Sequence, residues 1–222
     1  MLFNQFDRVI IISLAERTDR RREMIRQLRC FSVRAEFFDA YRMSDAGPFL
    51  KIGSHGAYLS HLEVLRQASD ANESLLILQD DCDFTPEVRH YQVPEGTDIF
   101  YGGYEASQPD DLLNSEIIGA HCMGFSARAA QLAYAYLSTL LKVDSQRDPT
   151  AALKLGFNAQ VLPPIDGALV CFRRVHPQLK TVFKLLSRQR PSRSDVSPKF
   201  FDNLQILRGL IGIARRAKAL SN

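Results

Sequence analysis

The segment Leu75-Leu76-Ile77-Leu78-Gln79-Asp80-Asp81-Cys82-Asp83 sets four consecutive aliphatic residues just ahead of three carboxylates within four positions. The apolar run is too short for an ordinary helix and reads as a strand buried on both faces. Carboxylates crowded at the end of such a strand repel one another unless water solvates them or a cation sits among them. Their oxygens are hard donors that suit magnesium or manganese, and such ions commonly hold substrate phosphates as well. Two readings stand: a solvated acidic turn, or a metal–phosphate site at the carboxyl edge of an α/β sheet, where open sheets bind ligands. Asp81 and Asp83 have D-x-D spacing, so both side chains can converge on one cation, with Asp80 nearby.

A second group lies earlier. Ser13 ends an apolar run, and Arg17, Arg20, Arg21 and Arg22 follow within the start of a helical segment. Helix N-termini attract anions, and arginine adds bidentate phosphate binding; the alternative is a solvated basic face. Neither G-x-G-x-x-G nor a Walker A pattern occurs here, which argues against a dinucleotide or P-loop site. Ser60 and His61 sit on a helix, where a histidine is either packed and hydrogen-bonded or part of a ligand site. His121, on an otherwise apolar strand, faces the same choice, with structure favoured. Tyr101-Gly102-Gly103-Tyr104 marks either a tight turn or a close approach by a ligand. Asp166, after Pro163-Pro164, is a general base, a binding residue or a helix cap, with Glu105 and Asp110 as other candidate bases. Arg190 and Arg193, in the polar, basic stretch Arg188–Pro198, either close over a diphosphate and exclude water or belong to a linker.

The elements that must position these residues follow from periodicity. Arg8–Leu14 reads as a strand, and Thr18–Arg29 as a helix with Met24, Ile25 and Leu28 on one face and Thr18 as its cap. Strands are expected at Val33–Phe38, Leu75–Gln79, Asp98–Tyr101 and Glu116–Ser126, and helices from Gly53-Ser54 to Ser69 and over Ala127–Leu141. The β-α-β-α-β order predicts an α/β fold with a mainly parallel sheet. Beyond residue 143 several prolines break the pattern into short pieces, and Phe201–Leu220 reads as a basic amphipathic helix.

The chain has 222 residues, 45% hydrophobic and 24% charged, an ordinary globular composition with enough length for one large domain. With no tryptophan and seven tyrosines, no aromatic stacking platform for nucleic acid is suggested. Residues 173–222 carry a net charge of +10 and the remainder −7, so a polyanionic partner such as a membrane surface, nucleic acid or a phosphorylated substrate suits the C-terminal segment. The four cysteines are scattered, which fits reduced thiols in the cytosol. No run is long enough for a signal-peptide core with its cleavage site or for a transmembrane helix.

Taken together, four segments resemble glycosyltransferase family 25, which includes bacterial lipopolysaccharide galactosyltransferases and collagen galactosyltransferases. They are Val9–Leu14 through Arg20-Arg21, Gly56-Ala57-Tyr58-Leu59-Ser60-His61-Leu62, Leu76-Ile77-Leu78-Gln79-Asp80-Asp81, and Pro164-Ile165-Asp166. The middle two are the most specific, and the likeness spans roughly residues 8 to 195. It implies a GT-A-like domain over 1–198, with 199–222 as an appended helix. It also implies a UDP-sugar donor, a glycan or lipid-linked glycan acceptor, inverting transfer and Mn²⁺ or Mg²⁺. On this resemblance the donor residues are Ser13, Arg17, Arg20, Ser60, His61, Asp80, Arg190 and Arg193. The metal pair is Asp81 and Asp83, and the base is Asp166. The enzyme would be cytoplasmic, peripheral on the inner face of the membrane, with no nucleic-acid partner. Where the family carries Glu-Asp-Asp this chain has Gln79, a neutral ligand, so a relative that binds nucleotide-sugar or glycan without turnover is the alternative.

Overall fold

The computed structural model describes residues 1–31, 33–143, 149–156 and 161–190. Its frame is a six-stranded sheet in the order β2-β1-β3-β6-β5-β7. The strands are β1 (Arg8–Ser13), β2 (Glu36–Asp39), β3 (Leu75–Gln79), β5 (Ile99–Ala106), β6 (Ile117–Phe125) and β7 (Thr181–Phe183). β1 pairs in parallel with β2 and β3, and β5 in parallel with β7, while β6 runs antiparallel to both neighbours. This is the mainly parallel α/β architecture expected from the sequence.

Both faces of the sheet are covered, as the continuous apolar runs require. Alternate residues of β1 and β3 serve opposite cores. Ile10, Ile12, Leu75 and Ile77 pack with α2 (Ile52–Ala71), α3 (Ala127–Lys142) and α5 (Ile165–Val175). Val9, Ile11, Leu76 and Leu78 pack with Met24 and Leu28 of α1 (Thr18–Arg29), and with Leu2 and Phe3 of an N-terminal 3₁₀ turn. Ser126 caps α3 by accepting the Ala129 N–H, and Asn72 ends α2 in the left-handed conformation. The Tyr58 hydroxyl donates to Leu137 O at 2.9 Å and so ties α2 to α3.

Several expectations are corrected. The second strand is Glu36–Asp39, because its register is set by pairing with Ile10–Ser13 of β1. Thr18 is the first helical residue of α1; Arg17 occupies the cap position without a side-chain cap bond. β5 continues through Gly102 and Gly103 to Ala106, with register shifts at the glycines. A Cβ at Gly102 would lie 2.5 Å from Cys122 Sγ, and one at Gly103 would collide with His121 Nε2 and Ser187 Oγ, so both glycines admit neighbouring side chains. The Pro-broken segment contains the short α4 (Pro149–Lys154) and the eleven-residue α5. A two-stranded ribbon, β4 (Cys82–Phe84) with β8 (Ser187–Gln189), joins the end of β3 to the late basic stretch, so Arg188 and Gln189 are strand rather than loop.

Met1–Arg190 form one compact unit. The expected boundary at 198/199 and the helix over 201–220 lie outside the described residues. Among the described residues no helix is long and apolar enough to cross a membrane. Tyr58→Phe is expected to lower the unfolding free energy by about 1 kcal/mol, read by urea denaturation, because it removes one buried hydrogen bond between α2 and α3.

Candidate functional site

The carboxyl ends of β1 and β3 meet through Asp80. Ser13 Oγ, at the last residue of β1, donates to Asp80 Oδ2 at 2.7 Å, and Arg20 Nη1 from α1 donates to Asp80 Oδ1 at 2.7 Å. The Arg20 guanidinium also lies 3.6 Å from Asp81 Oδ2. Arg21 braces the same corner, donating to Ser13 O at 2.8 Å and pairing with Asp39 at the end of β2. The amphipathic face of α1 packs Met24 and Leu28 beneath the sheet and thereby delivers its first-turn arginines to the strand ends. Arg17 pairs with Asp19 at 3.1 Å and holds that carboxyl down to about 2.

The ribbon positions the next acids. Arg190 N donates to Asp81 O at 2.7 Å, and Gln189 Nε2 to Asp81 Oδ2 at 3.1 Å. The Arg190 guanidinium clasps Asp83, with Nε 3.0 Å from Oδ1, and Gln27 Nε2 donates to the same Oδ1 at 3.0 Å. Asp83 in turn raises the Arg190 pKa. The cations that the acidic cluster demands are therefore supplied in large part by Arg20 and Arg190. Asp81 Oδ1 is buried and accepts no hydrogen bond. Among the described residues no three His, Cys, Asp or Glu side chains converge to hold a metal ion.

β6 links this corner to Asp166. Because β6 runs antiparallel to β3, with Leu78 opposite Cys122, its first residues lie at the carboxyl edge of β3. Gly119 N, at a φ of 105°, donates to Asp166 Oδ2 at 3.3 Å. Asp166 lies in the first turn of α5, with Pro164 at the cap position, so the aspartate is not the cap. Burial raises its pKa, and the Gly119, Asp166 and Gly167 N–H groups oppose the rise. His121, two residues along β6, is buried, with the Ser187 main chain beside its ring. Burial lowers its pKa, and the charge of Asp81 acts against that shift. The sequence singled out His121 only as a choice between structure and function; its flanking glycines were the available signal.

Ser60 and His61 are interior. Ser60 Oγ donates to Gly56 O at 2.7 Å and accepts the Tyr41 N–H at 2.9 Å, which pins the loop after β2 onto α2. A Cβ at Gly56 would collide with Tyr41 O, so that loop needs glycine beneath it. His61 Nδ1 meets Ala57 O at 2.8 Å, and burial drives its pKa down to about 4. Arg193 lies outside the described residues.

No protein-family model matches the chain, and no curated protein matches it. Among solved structures it is similar to the crystal structure of a glycosyltransferase involved in the glycosylation of the major capsid of PBCV-1. That likeness has 10% identity, covers 83% of this chain and 94% of that chain, and has a TM-score of 0.46.

Arg20→Met is expected to cost about 3–5 kcal/mol in urea denaturation, because it leaves Asp80 charged and buried without its guanidinium partner. A histidine whose folded pKa is depressed contributes stability that is complete above its unfolded value and is lost as pH falls. For His61 that window runs from about 6.5 down to about 4. His121 acts in the same direction and Asp166, with its raised pKa, in the opposite one. Stability should fall across the His61 window by up to about 1.4 kcal/mol per pH unit from that residue, and His61→Gln should flatten the fall, read from urea midpoints against pH.

Proposed function

We propose that this chain is an inverting glycosyltransferase that moves a hexose, with galactose the first to test, from a UDP-sugar to a cell-envelope glycan such as a lipopolysaccharide core. One juxtaposition carries the reading: Asp80, Asp81 and Asp83 with Arg20 and Arg190 at the carboxyl edge of a mainly parallel sheet, joined through β6 to Asp166. Ligands of open α/β sheets bind at that edge. A guanidinium has five N–H donors, so Arg20 and Arg190 can serve a carboxylate and a diphosphate together. Ser13 and Asp80 would fix Arg20 for that task, Arg17 and Arg193 would add positive charge, and Ser60 and His61 would act from the interior by holding the Tyr41 loop.

A resident Mn²⁺ or Mg²⁺ fits in one respect: Asp81 Oδ1 is a buried, unpaired hard donor. Asp81 would hold the ion, with Asp83 sharing it only if Arg190 yields a carboxylate oxygen. When bound, the ion would neutralise charge developing on the departing diphosphate. Asp166 would take the proton from the acceptor hydroxyl, its raised pKa bringing it closer to the working range of a general base. The basic segment 199–222 would hold the enzyme at the anionic inner face of the cytoplasmic membrane, near a lipid-linked acceptor.

One observation favours a second reading, a relative that binds nucleotide-sugar or glycan without turnover. Gln79 removes a charge, and Asp80 and Asp83 already carry guanidinium partners. The two separate in one assay: UDP release from UDP-galactose with a lipopolysaccharide-core acceptor and Mn²⁺. Turnover is expected, with Asp166→Asn lowering kcat by about 10²-fold or more while UDP-sugar binding, read by thermal shift, persists. Binding without any UDP release would establish the second reading instead.

A further inference from the structure

We propose that the loop over residues 107–116 is the wall against which an acceptor glycan docks, and that Arg173 is the positioning residue that holds it there. β5 and β6 are antiparallel neighbours, and a turn of about two residues is enough to join such a pair. Instead β5 ends at Ala106 and β6 begins at Ile117, which leaves ten residues between them. Extra length of this kind, when it is ordered, is where binding surfaces are found.

The loop is tied at its neck and at its tip. At the neck the buried Ser115 hydroxyl accepts the Gln108 N–H at 2.9 Å and lies 3.2 Å from the Ser107 hydroxyl, while Ser107 N donates to Glu116 O at 3.0 Å. The rest is held by the last turn of α5. Arg173 donates from Nη1 to Leu112 O at 2.7 Å and from Nη2 to Ser115 O at 3.0 Å. Arg174 donates to Asn114 O at 3.0 Å and pairs with Glu116 at 2.8 Å. Arg173 is 4% exposed, and its guanidinium stands 5.3 Å from the ring centre of Phe183 and 5.9 Å from that of Tyr101. Among the described residues its hydrogen-bond acceptors are main-chain carbonyls, and its Nε has none. Burying a guanidinium in that state is costly, and an apolar side chain of similar size would pack there at lower cost. What an apolar side chain cannot do is hold the carbonyls of Leu112 and Ser115.

Position assigns the wall to the acceptor. β3 and β5 both run antiparallel to β6, so the loop leaves the same carboxyl edge that carries the acids. It returns into β6, whose Gly119 N–H meets Asp166 Oδ2 at 3.3 Å. Asp166 stands in the first turn of α5 and Arg173 in the last, about 10 Å further along the helix. One helix thus carries both the candidate base and the anchor of the loop. A hydroxyl presented to Asp166 brings the rest of its glycan past residues 107–116. There Leu113, 59% exposed, offers an apolar contact to a sugar ring, and the exposed Asp110 offers an acceptor for its hydroxyls. In naming the acceptor the inference rests on the glycosyltransferase reading.

The experiment follows amide hydrogen exchange of the full chain by mass spectrometry, together with steady-state kinetics. A lipopolysaccharide-core oligosaccharide should slow exchange over residues 107–116 of the wild type. Arg173→Met should speed exchange there by at least about tenfold and leave Leu75–Gln79 unchanged. With UDP-galactose as donor, Arg173→Met and Leu113→Ser should each raise the acceptor KM by about fivefold or more and hold the donor KM within about twofold. Leu113 is exposed, so its variant and the protection of the wild-type loop remain decisive even if Arg173→Met fails to fold. Unchanged loop exchange in a folded Arg173→Met, or an equal rise in donor and acceptor KM, would overturn the proposal. If the wild type turns over a UDP-sugar, but the oligosaccharide leaves loop exchange as it was and Leu113→Ser keeps its acceptor KM, the transferase reading stands and the wall falls. If the oligosaccharide protects the loop and Leu113→Ser weakens that protection, but no UDP-sugar is turned over, the wall stands and the transferase reading falls.

Discussion

Burying an aspartate at the end of a parallel strand is tolerable only if something positive is buried with it. Asp80 meets that condition with Arg20 at 2.7 Å and the Ser13 hydroxyl at 2.7 Å, and the corner of the sheet is organised around the triad. The pair fixes where the first turn of α1 must sit, because Arg20 reaches the strand end only if the Met24 and Leu28 face is packed beneath the sheet. It also joins β1 to the turn after β3 by side chains, beyond the backbone ladder that already pairs them. Removing either charge would leave the other stranded where water cannot solvate it.

The same balance extends outward. Arg190 closes on Asp83 while its main chain holds Asp81 O, so the ribbon of β4 and β8 finishes what Arg20 begins. The acids are thus neutralised unequally. Asp80 and Asp83 each hold a guanidinium partner, whereas Asp81 keeps one buried oxygen unpaired. Reversal of β6 against its neighbours brings the beginning of a strand to an edge otherwise built from strand ends. Gly119, near the start of β6, then donates its N–H to Asp166.

The motif Gly56-Ala57-Tyr58-Leu59-Ser60-His61-Leu62 has its physical account in the interior. Gly56 lets the Tyr41 carbonyl approach the helix, Ser60 fastens the Tyr41 amide, Tyr58 locks α3, and His61 packs neutral against its own helix. Each holds an element that borders the edge, and none is solvent-facing. A residue pattern can therefore be distinctive because of what it positions, without itself standing where ligands bind.

Much of the frame was legible in the residues alone. The bounds of α1 and β3 followed from periodicity and from an aliphatic run with charge at its end, because those signals are local and unopposed. The acidic cluster and the arginine-rich helix start could each be picked out as chemically charged. What sequence could not supply was partnership. That Arg20 answers Asp80, that Arg190 answers Asp83 across more than a hundred residues, and that three-residue strands form a ribbon there are outcomes of tertiary contact. Likewise Gly102 and Gly103 belong inside β5 because Cys122, His121 and Ser187 pack against them, which turn chemistry could not foretell. Local propensity determined which segments could be strands and helices; the distribution of buried charge, and so which acid kept an unpaired oxygen, was decided only when distant segments met.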